Sequence, residues 1–522
     1  MKYNVFYNGK IYSMAKQGEC FEAMSIENNK IKELGTTDYI LGKYCSSSYS
    51  KIDLCGKTVL PGFIDSHMHL LAYCENKNNV NLSSAHTIDD LKKILSSKVK
   101  NTQHGKWIVG FGFDNENFPE KTFPNKYDLD DVSRNNPIFI TRFCMHGHVA
   151  NSLAMKIAGI KNDEKSDGIL WENAASPIIN VIPEELITEN DKMAAIKEAC
   201  QTLSSFGLTG ITPVQGKECK AMEYIGIYQK LAHMHELPMR IYAAFDELPS
   251  FGMKSGFGND MVKYGFFKIY CDGSLGSHTA ALSEPYSDDV NNIGILNHTP
   301  SEIDRLVQIA YDNDLQIGIH AIGDRGMDIA ISAIEKAYYA DPHPDPRFRL
   351  IHAIVPTPEI IGRMKKLPLI LEIQPEFLST DLNWIENRLG KKRAKLSYPW
   401  KTYIKNGFIM TGSSDLPVES ANPLWGIYSA VTRENFSKIP AGGWNPQEKL
   451  SIYDAISLYT RNAAYASFEE NKKGTLEAGK FADFIVLSKN IFEINPESIK
   501  DIFVEKTYFD GSLVFDFKHC IK

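Results

Sequence analysis

Between residues 58 and 415, short runs of apolar and β-branched residues recur with helical patterns between them. The runs read TVLPGFIDS, LTGITPV, MRIYAAF, GFFKIYC, QIGIHAI, RFRLIHAIV, PLILEIQP and FIMTGSSD. Segments such as SEIDRLVQIAYDNDL, GMDIAISAIEKAYYA and TPEIIGRMKKL separate them and carry apolar residues at helical spacing. Strands that are apolar on both faces and alternate with helices describe a parallel sheet covered on both sides. Eight of them fit a (β/α)8 barrel better than an open doubly wound sheet, and no strand is followed by a G-x-G-x-x-G dinucleotide turn. The expected fold class is α/β, a TIM-like barrel.

Two parts of the chain break this rhythm. Residues 71–200 separate the first strand from the second, far beyond a βα connection, and contain strands of their own in WIVGFGFD and PIFITRFC. They read as an inserted subdomain after the first barrel strand, capping the pocket on the active-site face. Both chain ends are β-rich. YNVFYNGKIYSM predicts a hairpin around Asn8-Gly9, EAMSIENNKIKELG a second, FADFIVLSKN a strand, and KTYFDGSLVFDF a hairpin around Asp510-Gly511. Short hairpins bury no core alone, so the two ends are expected to join in one small β-sandwich domain. The expected division is 1–57 and 466–522 for the sandwich and 58–465 for the barrel, with the insert at about 71–200.

Composition excludes several classes of partner. With 43% hydrophobic and 23% charged residues the chain is globular rather than disordered. A net charge of −7 leaves no basic face for phosphates, which argues against nucleic acid. GKKRAK at 390–395, the densest basic stretch, reads as a solvated loop. No apolar run reaches membrane-spanning length, and the N-terminus lacks the apolar core of a signal peptide. Nine cysteines without a CxxC pair argue for reduced thiols in the cytoplasm. The expected partner is a small-molecule substrate, and the frequency of twofold assemblies favours a homodimer.

The chemistry starts at PGFIDSHMHL. In a strand, residues i and i+2 point the same way, so His67 and His69 can address one ion together. On a helix the same spacing separates the rings, which makes His233 and His235 of LAHMHELP a poor pair. Barrel strands converge at their C-terminal rim, which brings Lys268 of strand four, His320 of five, His352 of six and Asp415 after eight to the same mouth. Imidazoles and a carboxylate suit Zn2+ or a similar divalent ion. A lysine inside an apolar strand must be paired or have a depressed pKa. A neutral Lys268 amine can add carbon dioxide to give a carbamate able to bridge two metals; the alternative is a lysine paired with Asp272 or snorkelling to solvent.

Other candidates lie around this set. His146 and His148 of CMHGHV fall in the insert and suit substrate contact from the cap, with Arg142 as an anion or carbonyl partner. Asp324 and Arg325 either reach the rim or form a local ion pair at a helix start. Gln374 ends strand seven and faces the rim, and Trp171, Phe113 and Tyr270 are candidate apolar walls.

In that order, PGFIDSHMHL, KIYCDGSLGSHTA, IHAIGDRG, LIHA and GSSDLPVE resemble the amidohydrolase superfamily. GFGFDNENFPE, HVANSLAMKIAGI, EIQPEF and GTLEAGKFADFIVL resemble its amidohydrolase-3 branch, which holds YtcJ-like proteins and N-substituted formamide deformylases. The resemblance implies one or two divalent ions. His67 and His69 would bind the more buried one, carboxylated Lys268 would bridge, His320 and His352 would hold the second, and Asp415 would be ligand and general base. It implies metal-dependent hydrolysis of a non-peptide, amide-like C–N bond in a small molecule. The alternative is the same site used for deamination, ester hydrolysis, isomerisation or decarboxylation. A catalytically silent scaffold is disfavoured, because all six ligand positions are filled.

Overall fold

The computed structural model describes all residues except 1–2, 162–165, 184–187, 216–219, 249–251 and 521–522. Eight strands make one parallel sheet in chain order: β1 Phe63–Met68, β2 Leu208–Gln215, β3 Arg240–Phe245, β4 Val262–Tyr270, β5 Gln316–Ala321, β6 Phe348–His352, β7 Leu369–Ile373 and β8 Ile409–Gly412. β8 and β1 approach across a seam bridged by the Ser66 hydroxyl donating to the Gly412 carbonyl at 2.9 Å and Asp415 N donating to the His67 carbonyl at 3.0 Å. The sheet is a nearly closed barrel. Helices Pro300–Asp312, Asp324–Ala340 and Pro358–Met364 follow their patterns, and Thr299 and Thr357 cap the first and third by accepting from Glu302 N and Ile360 N.

All eight apolar runs contribute a barrel strand, with one refinement. TVLPGFIDS is two strands, not one: Thr58–Pro61 belongs to another sheet and Phe63–Met68 opens the barrel. Gly62 lies between them and packs so closely on Thr209 that a β-carbon there would overlap its side chain.

The two chain ends meet in a pair of sheets. One runs Lys30–Gly35, Ala23–Glu27, Tyr3–Tyr7, Ser50–Asp53. The other runs Ser512–Asp516, Val504–Phe509, Phe484–Leu487, Thr58–Pro61, Lys10–Tyr12, Cys20–Phe21. Phe6, Met24 and Ile26 of the first sheet and Phe484, Val486 and Tyr508 of the second share one buried core, which makes the pair a sandwich. The hairpins at Asn28-Asn29 and Asp510-Gly511 form as the sequence predicts. The one at Asn8-Gly9 does not. Tyr3–Tyr7 pairs with Ala23–Glu27 and Ser50–Asp53, whereas Lys10–Tyr12 pairs in the other sheet, so Asn8-Gly9 turns a corner between layers.

The insert after β1 builds its own five-stranded sheet, in the order Ile169–Trp171, Gly147–Ala150, Ile138–Arg142, Ile108–Phe113, Val80–Asn81. GKKRAK is not a loop: Lys391 to Ala394 end the helix Ile385–Ala394 beyond a break at Gly390. No helix among the described residues is long and apolar enough to cross a membrane. The seven cysteines whose side chains are described are all free thiols.

Candidate metal centre

The barrel brings the two ends of its seam together first. His67 lies in β1 and His69 just beyond it, while Asp415 follows β8 by three residues. Asp415 Oδ1 sits 3.3 Å from His67 Nε2 and 3.2 Å from His69 Nε2. A ligand atom from each of these three residues falls within 4.8 Å of the others. Asp415 and His352 hold left-handed backbone angles, φ 56° and 73°, a strain that concentrates at functional sites.

The remaining ligand candidates come from β4 to β6. Lys268 is 1% exposed, and its Nζ lies 3.3 Å from His67 Nε2. Burial pushes its ammonium down to about 8 against the attraction of Asp415 and Glu372. His320 and His352 stack edge to face with ring centroids 4.4 Å apart, and the His352 ring is 6.2 Å from that of His67. Burial holds both well below the ordinary imidazole range, reinforced at His320 by the neighbouring His352 and Lys268 charges and opposed at His352 by Asp415. Neutral rings keep the lone pair that a metal needs.

Each ring is oriented by a partner at its other nitrogen. His67 Nδ1 meets Glu372 Oε1 at 2.8 Å, and Arg349 donates to the far oxygen of the same carboxylate at 2.7 Å. Glu372 and Arg349 are fully buried inside the barrel. His352 Nδ1 meets Gln374 Oε1 at 2.6 Å, and His320 Nε2 donates to the Gly273 carbonyl at 3.1 Å. The nitrogens left for a metal are therefore Nε2 of His67, which now faces Lys268 Nζ and Asp415 Oδ1, Nε2 of His352 and Nδ1 of His320. Carboxylate and carbonyl partners of this kind fix tautomer and raise ligand basicity. Asp65 locks the seam by accepting from His67 N at 3.0 Å and the Ser414 hydroxyl at 2.6 Å.

The donor set fits a divalent ion. Asp415 Oδ1 is buried without a hydrogen bond of its own, between two imidazole nitrogens. Burial pushes the Asp415 carboxyl up, yet contact with His67 and His69 outweighs it and holds the group well below the usual carboxylate range. An ionised oxygen with no donor, flanked by imidazoles, is the arrangement a cation completes.

The insert supplies the roof. His146 Nδ1 meets both Glu172 oxygens, at 2.9 and 3.1 Å, and its ring lies 5.6 Å from that of His320. Its Nε2 has no hydrogen bond among the described residues. Arg142 is fully buried beside Asp114 and Asn115. His148 is not brought to the cluster: it stacks on Phe139 and meets Thr141 Oγ1 at 3.0 Å within the insert sheet. Nor are Asp324 and Arg325, which do not pair with each other either. Asp324 accepts from Ser283, and Arg325 donates to the Ile293 and Gly294 carbonyls, so both brace the loop before them. Trp171 lines a groove of about 570 Å3 between insert and barrel, Tyr270 lies beside Lys268 and His320, and Phe113 belongs to the insert core.

The sequence matches the amidohydrolase family over residues 51–515. The chain belongs to that family. Among its relatives, the putative amidohydrolase YtcJ of Bacillus subtilis (strain 168) is 32% identical over 98% of this chain and 99% of its own. The N-substituted formamide deformylase of Arthrobacter pascens is 24% identical over 98% and 97%. An uncharacterized metal-dependent hydrolase from Pyrococcus horikoshii OT3 superposes with a TM-score of 0.77 at 28% identity, covering 95% of this chain and 99% of that one.

Sequence reasoning missed Glu372, Arg349 and Glu172 around the candidate centre. The first two left a signal: a lone carboxylate in PLILEIQP and a lone guanidinium in RFRLIHAIV, each inside a buried strand where an unpaired charge is untenable. Glu172 left none, since only the fold of the insert brings it to His146.

Proposed function

We propose that this protein is a metal-dependent hydrolase that cleaves a non-peptide, amide-like C–N bond of a small molecule. The observation that carries this reading is the convergence of His67, His69 and a buried, unpartnered Asp415 oxygen at one barrel mouth. His67, His69 and Asp415 would hold the ion, with Lys268, His320 and His352 completing the set, and zinc is the first candidate. When bound, a divalent ion lowers the pKa of water toward ~7 and polarises a carbonyl.

The chain's own residues supply the rest. Asp415 accepts the proton of the attacking water and returns it to the leaving nitrogen, a role suited to an ionised carboxylate beside the reacting atoms. The Lys268 amine, its pKa lowered by burial, adds to carbon dioxide; an N–C bond forms, one proton leaves, and two carbamate oxygens join the donor set. Glu372 and Gln374 hold His67 and His352 in the ligating tautomer. From the insert, His146 turns its free Nε2 to the substrate while Glu172 fixes its other nitrogen. Amide chemistry agrees with the name of the deformylase relative.

Elemental analysis of the purified protein and of His67→Ala and Lys268→Ala variants, paired with a panel of small amides, tests this. The expected result is a bound divalent ion that both changes deplete, and amide hydrolysis that follows ion content. Bound ion with turnover of non-amide substrates alone would overturn the C–N assignment, and ion content unchanged in both variants would overturn the site.

A further inference from the structure

Beside the ligand cluster the structure leaves a second, smaller space. Arg142, Gly276, Phe377, Asp381, Trp384 and Glu419 border a cavity of about 30 Å3. Phe377 also stacks on His352, with ring centroids 5.9 Å apart, so the cavity shares a wall with the candidate metal centre. Gly276 borders both this cavity and the larger groove under the insert. Such a volume seats about two waters, and hence the three heavy atoms of a carboxamide with any substituent left outside.

The polar groups around it are incompletely satisfied. Arg142 donates from Nε to Asn115 at 2.9 Å and from Nη2 to Asp114 at 2.8 Å, while Nη1, fully buried, has no partner. A β-carbon at position 276 would lie 2.9 Å from that Nη1, so the glycine keeps the approach open. Asp381 gives one oxygen to the Tyr398 hydroxyl and Glu419 gives one to Thr380. Each carboxyl keeps a second oxygen without a hydrogen bond among the described residues. The residues that border the cavity therefore hold one unpaired donor and two unpaired acceptor oxygens.

We propose that this cavity is a subsite for an uncharged, carboxamide-like group of the substrate, its carbonyl oxygen accepting from Arg142 Nη1 and its N–H donating to Asp381 or Glu419. The assignment rests on the hydrolase reading, since it names a part of the same substrate that stays unreacted. Charge selects against the alternatives. Asp114 already balances the guanidinium, and two further carboxyls face the same space, so a carboxylate ligand adds an anion to an acidic wall. Burial pushes Asp381 up to about 7 and Glu419 to about 8, so the wall sheds charge rather than seeking more. An ammonium ligand cannot satisfy Nη1, which needs an acceptor.

Acetamide, acetate and methylammonium, each titrated against the full-length, ion-loaded protein by ligand-observed NMR, test the subsite, with acetamide-soaked crystals as an independent measurement. Acetamide is expected to bind in the cavity with its oxygen on Arg142 Nη1, and Gly276→Ala to weaken it about tenfold, the loss of one hydrogen bond to a charged donor. Equal or tighter binding of acetate, or acetamide unaffected by Gly276→Ala, would overturn the proposal. Acetamide seated there in a protein that hydrolyses no amide would keep the subsite and sink the C–N assignment. Amide hydrolysis with acetamide absent from the cavity would do the reverse.

Discussion

Glu372→Gln is the substitution that asks most of the geometry. The carboxylate stands between His67 Nδ1 at 2.8 Å and Arg349 Nη1 at 2.7 Å, and all three side chains are fully buried. Glutamine keeps the shape but has one acceptor oxygen for two donors, so either His67 or Arg349 loses its partner. Altering the outer partner of a ligating imidazole costs about 10–100-fold in metal affinity, which is about 1.4–2.7 kcal/mol. Glu372→Ala removes the counter-charge of Arg349 altogether and is expected to cost about 3–5 kcal/mol of stability, as for a broken buried ion pair. Chelator competition reads the first effect on folded protein, and urea unfolding of the ion-free variants reads the second. A Glu372→Gln protein that binds its ion as tightly as the parent would refute the claim that this carboxylate prepares His67 as a ligand.

Two further substitutions probe residues outside the ligand set. Glu469 accepts from Lys263 at 2.7 Å and Lys473 at 2.5 Å; burial pushes its carboxyl up, but the two lysines outweigh this and hold it at about 2. Its folded pKa lies below the unfolded one, so its contribution is present above pH ~4.3 and lost as pH falls through about 2. Glu469→Gln should cost at most about 3 kcal/mol at pH 6, because burial also lowers Lys473; urea unfolding should show the gap narrowing by pH 3, and a constant gap contradicts the linkage. Gly323 donates to Asp272 at 2.9 Å, and a β-carbon there would overlap the Ala281 carbonyl oxygen. Gly323→Ala should lower stability by about 1–3 kcal/mol and disturb Asp272, which lies 3.4 Å from His320 Nε2; an unchanged melting temperature would argue against so tight a contact.

The barrel was legible because burial on both faces writes itself into sequence as unbroken apolar runs, and all eight became strands. The residues proposed as ligands stood out for a related reason: each histidine, lysine or aspartate lies in such a run or just past its end. Pairing partners were not. Asn8-Gly9 carries the residues of a hairpin turn, yet whether its flanking strands pair with each other or enter opposite layers depends on strands twenty to fifty residues away. His146 and His148 look alike in CMHGHV, but His146 lies just before the strand Gly147–Ala150 and reaches His320, whereas His148 lies inside the strand and stacks on Phe139. Glu172 was beyond reach, since nothing local distinguishes it from a surface glutamate.

Crystals grown with zinc and measured at the zinc absorption edge test the central claim most directly. The account predicts an anomalous peak within coordinating distance of His67 Nε2, His69 Nε2 and Asp415 Oδ1, and its loss in His67→Ala crystals grown alike. Zinc bound elsewhere on the chain, with this mouth empty, would contradict it.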